Sequence, residues 1–236
     1  MNYGNVSVGQ KLTGEVRLSD ERLAMVKQTY AYLAISVLAA IAGARLGSTT
    51  PALLNLFTGA LGWILAMVLL NVIPHVALAC RHRPVLGLVA LAADGFVAGL
   101  VLGPAVAIAG YVATGQNIVL NALALTFLVF AAVSIVVWGS DKRYSAPRGL
   151  MAGIAISIVG AIVLNLFIPI GFLGMIISVG IGIFGVMVLV YATSDLLYNE
   201  AVDSPVTGAV MLFAGLFNVF TAILHILLML FGGGRD

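Results

Sequence analysis

The sequence predicts an all-α integral membrane protein: a bundle of seven transmembrane helices, with the N-terminus inside and the C-terminus outside. Three observations predict it. Hydrophobic residues make up 62% of the 236 positions and charged residues 8%, against roughly a quarter charged in soluble domains. Apolar runs of near twenty residues recur along the chain, the length a helix needs to cross about 30 Å of hydrocarbon. The basic residues crowd into alternate connections. Eleven Lys+Arg and nine Asp+Glu cannot coat a soluble globule of this size. A soluble enzyme, a disordered chain and a nucleic-acid binder are excluded at this step.

The elements follow in order. Residues 1–27 are polar and mixed in charge, with no apolar core of a signal peptide. They read as a cytoplasmic N-terminal segment, followed by a seven-helix domain over 28–232 and a short tail at 233–236. The first span is predicted at residues 30–46 and the second at 52–79, opening after Pro51. Pro74 is expected to kink the second span, with Asn71 helping to satisfy the freed backbone. The third span, 85–102, lies between Pro84 and the pair Gly103-Pro104. Residues 103–117 carry no charge and read as a short loop or an embedded turn. Spans at 118–138, 150–168, 172–192 and 206–231 complete the set, with Pro147, Pro169 and Pro205 at the breaks. The polar–apolar alternation of a membrane β-barrel is absent.

Orientation comes from the bases. With the N-terminus inside, the inner segments hold Lys11, Arg17, Arg22, Lys27, Arg81, Arg83, Lys142, Arg143 and Arg148. The outer segments hold Arg45 and Arg235 only. The excess of Lys and Arg marks the cytoplasmic side.

Few side chains can carry chemistry. Asp94 lies ten residues beyond Pro84, hence about 15 Å deep. An ionised carboxylate there costs on the order of 3 kcal/mol or more. It reads either as a proton or cation site in a polar cavity, or as a protonated acid bonded to a neighbouring helix. Asp195 and Arg81 both fall near the inner interface and are able to meet at the mouth of the bundle; two unrelated interfacial charges is the plainer alternative. Gly95, Gly99 and Gly103 recur every four residues, a helix-packing spacing, with shorter versions at Gly43/Gly47 and Gly149/Gly153. Asn71, Asn121, Asn165 and Asn218 are expected to bond between helices. The lone Cys80 and the scattered His75, His82 and His225 offer no metal-ligand spacing. No phosphate loop, cofactor motif or catalytic order appears, so no enzyme, cofactor or metal is expected.

Several stretches resemble one family. Lys27-Gln-Thr-Tyr30, Gly95-Phe-Val-Ala-Gly-Leu-Val-Leu-Gly-Pro104 and Ala209-Val-Met-Leu-Phe-Ala-Gly-Leu-Phe-Asn-Val-Phe220 are similar to the Bax inhibitor-1 family, also called TMBIM, and most of all to its bacterial YccA-like branch. The resemblance runs from about Met25 to Phe231. It implies six helices around a central seventh and a place in the bacterial inner membrane. It also implies a pH-sensitive cation leak, usually of calcium, whose gate is a proton shared by two aspartates. An arginine at the end of the second helix competes for one of them. Asp195 matches the acid of the sixth helix and Arg81 the arginine. The second acid is Gly215 here, so the gate is altered; Asn218, one turn on, is able to hydrogen-bond Asp195 but not to titrate. Replacing Gly215 by Asp is expected to restore the pair. The YccA-like branch implies instead a modulator of other membrane proteins, such as a membrane-anchored AAA protease. The partners implied are thus the lipid bilayer, calcium or protons, and a membrane protease.

Overall fold

The computed structural model describes residues 19–112, 117–140, 142–145, 148–167, 172–199 and 201–232. Residues 1–18 and the tail at 233–236 lie outside the described residues. Eight helices are present among them: α1 (Asp20–Thr49), α2 (Pro51–Thr58), α3 (Ala60–Ala79), α4 (Pro84–Val112), α5 (Ile118–Trp138), α6 (Arg148–Phe167), α7 (Leu173–Tyr198) and α8 (Pro205–Gly232). No strand occurs among the described residues.

Six of these helices are long and apolar enough to cross a membrane: α1, α3 from Leu61, α4, α5, α7 and α8. The span expected at 150–168 corresponds to α6, in which Met151–Leu164 is the apolar stretch among the described residues. α1 begins ten residues ahead of its predicted start. Ser19 caps it by accepting from the Arg22 N–H at 3.2 Å, and Asp20 and Glu21 sit at the positive end of the helix dipole. The second predicted span is two helices. Gly59, extended at φ −84° and ψ 162°, ends α2 and starts α3. The turn closes so tightly that a Cβ on Gly62 would collide with the Leu56 carbonyl oxygen. The third span does not stop at Gly103-Pro104: α4 runs on to Val112, with Pro104 inside it. Beyond the proline it stays packed, and Ala109 shares a buried cluster with Ile118, Ala122 and Leu224. Tertiary burial thus overrides the local helix-breaking tendency. α7 continues six residues past its predicted end, which puts Asp195 within the helix.

α8 is the axis of the bundle, packed against α1, α3, α4, α5 and α7. α6 touches α7 alone among the described helices. The closest seam joins α1 to α4. A Cβ on Gly95 would strike the Ser36 carbonyl oxygen, one on Gly99 that of Ala40, and one on Gly43 that of Phe96. Gly47 and Gly103 face each other in the same seam. With no side chains between them the two backbones come into direct contact, which is how membrane helices gain dispersion energy. Gly149 and Gly153 differ: nothing lies within 4 Å of a Cβ built at either.

The α7–α8 pair is antiparallel, and its register is set by small residues. Gly182 meets Ala222, Gly185 meets Asn218 and Val219, Gly215 meets Leu189, and Gly208 meets Leu196. This register decides which residues are able to share a site.

Candidate functional site

One end of the bundle collects the polar groups. Arg22, in the first turn of α1, reaches across to the end of α7. Its guanidinium donates to the carbonyl oxygens of Asp195 at 2.9 Å, Asn199 at 2.6 Å and Val202 at 2.9 Å. Asp195 lies in the last turn of α7 and Asn199 caps it, so the negative end of the helix dipole favours a cation there. The turn before α8 brings Asp203 to Arg81, with Nε 3.4 Å from Oδ1, and His82 lies 3.6 Å from Oδ2. Tyr144 donates its backbone N–H to Ser194 Oγ at 2.9 Å, and Tyr198 donates its hydroxyl to the Ser140 carbonyl at 3.4 Å. The segment between α5 and α6 is thereby tied to α7 at the same end.

Asp195 and Arg81 therefore stand at the same end, but the guanidinium of Arg81 is held by Asp203. α3 and α7 make no contact among the described residues, because α8 stands between them. Asp195 is half-buried, and its backbone carbonyl accepts from both the Arg22 guanidinium and the Asn199 N–H. Asn218 does not reach Asp195: its amide donates to the Ala214 carbonyl at 2.9 Å, within α8. Gly215 lies against Leu189, six residues or about 9 Å along α7 from Asp195. In the α7–α8 register, Asp195 is level with Ala209.

Asp94 is 4% exposed. It shares a face of α4 with Leu91, three residues before, and Ala98, four after. Leu91 is buried in one cluster with Val206, Ala209 and Val210, and Ala98 in another with Leu212 and Phe213. The acid therefore sits on the side of α4 turned to the central helix. Among the described residues no hydrogen bond reaches its carboxyl. Gly95, beside it in sequence, packs on α1.

Two residues of this end were not singled out from sequence: Arg22, read only as one base of the inner segments, and Asp203. The available signal was Ser19-Asp20-Glu21, a helix start that brings Arg22 into the fold. Arg22→Ala is expected to remove all three bonds and to lower stability by about 2 kcal/mol. Arg22→Lys is expected to recover less than half of that, since an ammonium lacks the planar fork. Melting temperatures in one detergent measure both. Equal melting of Arg22→Ala and the parent chain would show that the clasp contributes nothing.

The family described as Inhibitor of apoptosis-promoting Bax1 matches residues 22–232 of this chain. A Campylobacter jejuni protein is 30% identical over 209 residues, covering 89% of this chain and 90% of its own length. A Neisseria meningitidis serogroup A protein is 27% identical over 210 residues, covering 88% and 92%. An Escherichia coli relative, named Modulator of FtsH protease YccA, is 29% identical over 168 residues, covering 70% and 74%.

Proposed function

We infer function from one premise: the chain belongs to the Bax inhibitor-1 family, as a multi-pass protein of the bacterial inner membrane. We propose that it is a non-transporting modulator that binds other membrane proteins, a membrane-anchored AAA protease among them. Its orientation is N-terminus in and C-terminus out, with seven crossings counting α6. The end holding Arg22, Arg81, Arg83, Lys142 and Arg143 is then cytoplasmic. The observation that carries this reading is the closed α7–α8 contact at Gly215. Where a proton-sharing gate needs a second carboxylate, the central helix offers a hydrogen atom packed on Leu189. A modulator needs no such gate, and the Escherichia coli relative's name supplies the class of partner. The test is copurification from native membranes in mild detergent, scored with an antibody to the protease. Retention of the protease is expected, with altered turnover of a protease substrate on overexpression. Elution free of the protease at every expression level would overturn the proposal.

Asp94 favours a second reading, a proton- or cation-linked pathway between α4 and α8. A buried carboxyl is an expensive way to hold two helices together in lipid. Liposomes with an entrapped calcium dye decide it across the neutral pH range. On the modulator reading, flux equals that of empty liposomes, and Asp94→Asn keeps both melting temperature and protease binding. A flux above empty liposomes that Asp94→Asn abolishes would shift the function to transport.

A further inference from the structure

α3 is turned inside out in polarity. Gly62, Ala66 and Ala77 are buried on its inner face, all of them apolar. The opposite face carries Leu61, Ile64, Val68, Asn71 and His75, all exposed. Polar side chains in membrane helices ordinarily face the bundle interior. Here Asn71 lies eight residues before the helix ends at Ala79, about 12 Å in, and looks away from the protein.

Its hydrogen bonds leave a defined remainder. The Asn71 amide donates one N–H to the Met67 carbonyl at 2.7 Å. His75 Nδ1 lies 2.6 Å from the Asn71 carbonyl. A carbonyl only accepts, so Nδ1 carries the hydrogen, and in the neutral ring Nε2 is an acceptor. What remains outward is the second Asn71 N–H, the Asn71 Oδ1 and His75 Nε2. Among the described residues nothing bonds them, and lipid tails have nothing to offer them.

We propose that this face of α3 is the contact between two copies of this chain, paired about a two-fold axis along the membrane normal. Within an exposed arc that also includes Met67, Val72 and Val76, the row Leu61, Ile64, Val68, Asn71 and His75 runs at spacings of three, four, three and four, the register of a left-handed parallel helix pair. About such an axis each residue meets its own counterpart. The Asn71 carboxamide carries a free donor and a free acceptor together, so an identical group in register satisfies both reciprocally. A foreign helix would need a matching amide at the same depth; a second copy has it by construction. This inference stands apart from the protease reading, because it rests on α3 alone.

Disulfide crosslinking in native membranes tests it, with Cys80→Ser removing the native thiol. Val68→Cys lies on the seam and Val76→Cys lies about 80° off it, at matched exposures of 51% and 49%. Oxidation is expected to give a species of twice the chain mass for Val68→Cys and several-fold less for Val76→Cys. Adding Asn71→Leu to Val68→Cys is expected to weaken pairing by about threefold to tenfold. No crosslink at Val68→Cys, equal crosslinking at both positions, or a product containing a different protein would each overturn the proposal. Insensitivity to Asn71→Leu would do the same.

Discussion

Gly99→Leu is expected to abolish the folded bundle. The new Cβ would run into the Ala40 carbonyl oxygen and lie 2.8 Å from both the Ala40 carbonyl carbon and the Ala44 nitrogen. These are backbone atoms, so no rotamer change relieves the contact, and α1 must move as a body. Overpacking against side chains costs about 1–3 kcal/mol. Here the displaced unit is a 30-residue helix that also packs on α8. A loss well above about 3 kcal/mol is a large fraction of a domain's total stability. Detergent extracts should show the variant eluting as aggregate or failing to accumulate. Gly153→Leu is the control, because nothing lies within 4 Å of its Cβ. It should stay within about 0.5 kcal/mol of the parent chain. If Gly99→Leu elutes and melts like the parent chain, the α1–α4 seam does not hold the fold.

The two glycine positions look alike in sequence, and the difference between them marks how far sequence reading reaches. Apolar length and punctuation place α5 to the residue and both ends of α6 and α8 within two, while α1, α4 and α7 each run six to ten residues past a predicted end. They fail where tertiary packing outweighs local chemistry. Pro104 reads as a stop, yet α4 continues because its later turns are buried against α5 and α8. Gly59 reads as one more glycine in a long apolar run, yet it divides α2 from α3. The candidate site was legible in part. Asp94 stands out because any acid in a long apolar run does. Arg81 stands out at a helix end, but its partner depends on α8 separating α3 from α7, which no local pattern encodes. Arg22 is invisible for the same reason: its three acceptors lie more than 170 residues away. Asn71 was expected to bond between helices of this chain, and only the packing reveals that it faces outward.

Gly215→Asp separates the two pictures of the gate, and its expected result is a damaged fold rather than a restored switch. The resemblance to the family implies that an acid at this position would share a proton with Asp195. Sharing requires the two carboxyls within about 4–6 Å. The α7–α8 register instead sets Gly215 against Leu189, with the new Cβ 2.8 Å from Leu189 Cγ and 3.1 Å from its backbone nitrogen. Asp195 lies about 9 Å further along α7. The added carboxyl therefore enters an apolar contact without a partner. Overpacking contributes about 1–3 kcal/mol, and an unsatisfied buried polar group about the same again. A loss of about 2–5 kcal/mol is expected, read as a lower melting temperature and a reduced yield of monodisperse protein. Leu189→Ala in the same chain should recover part of the loss by opening space, which makes the double variant the fair test of gating. If it folds and carries no pH-dependent calcium flux, the dyad does not transfer to this protein. If Gly215→Asp alone melts like the parent chain and confers pH-dependent flux, then α7 and α8 slide relative to each other in the membrane and the register drawn here is not the functional one.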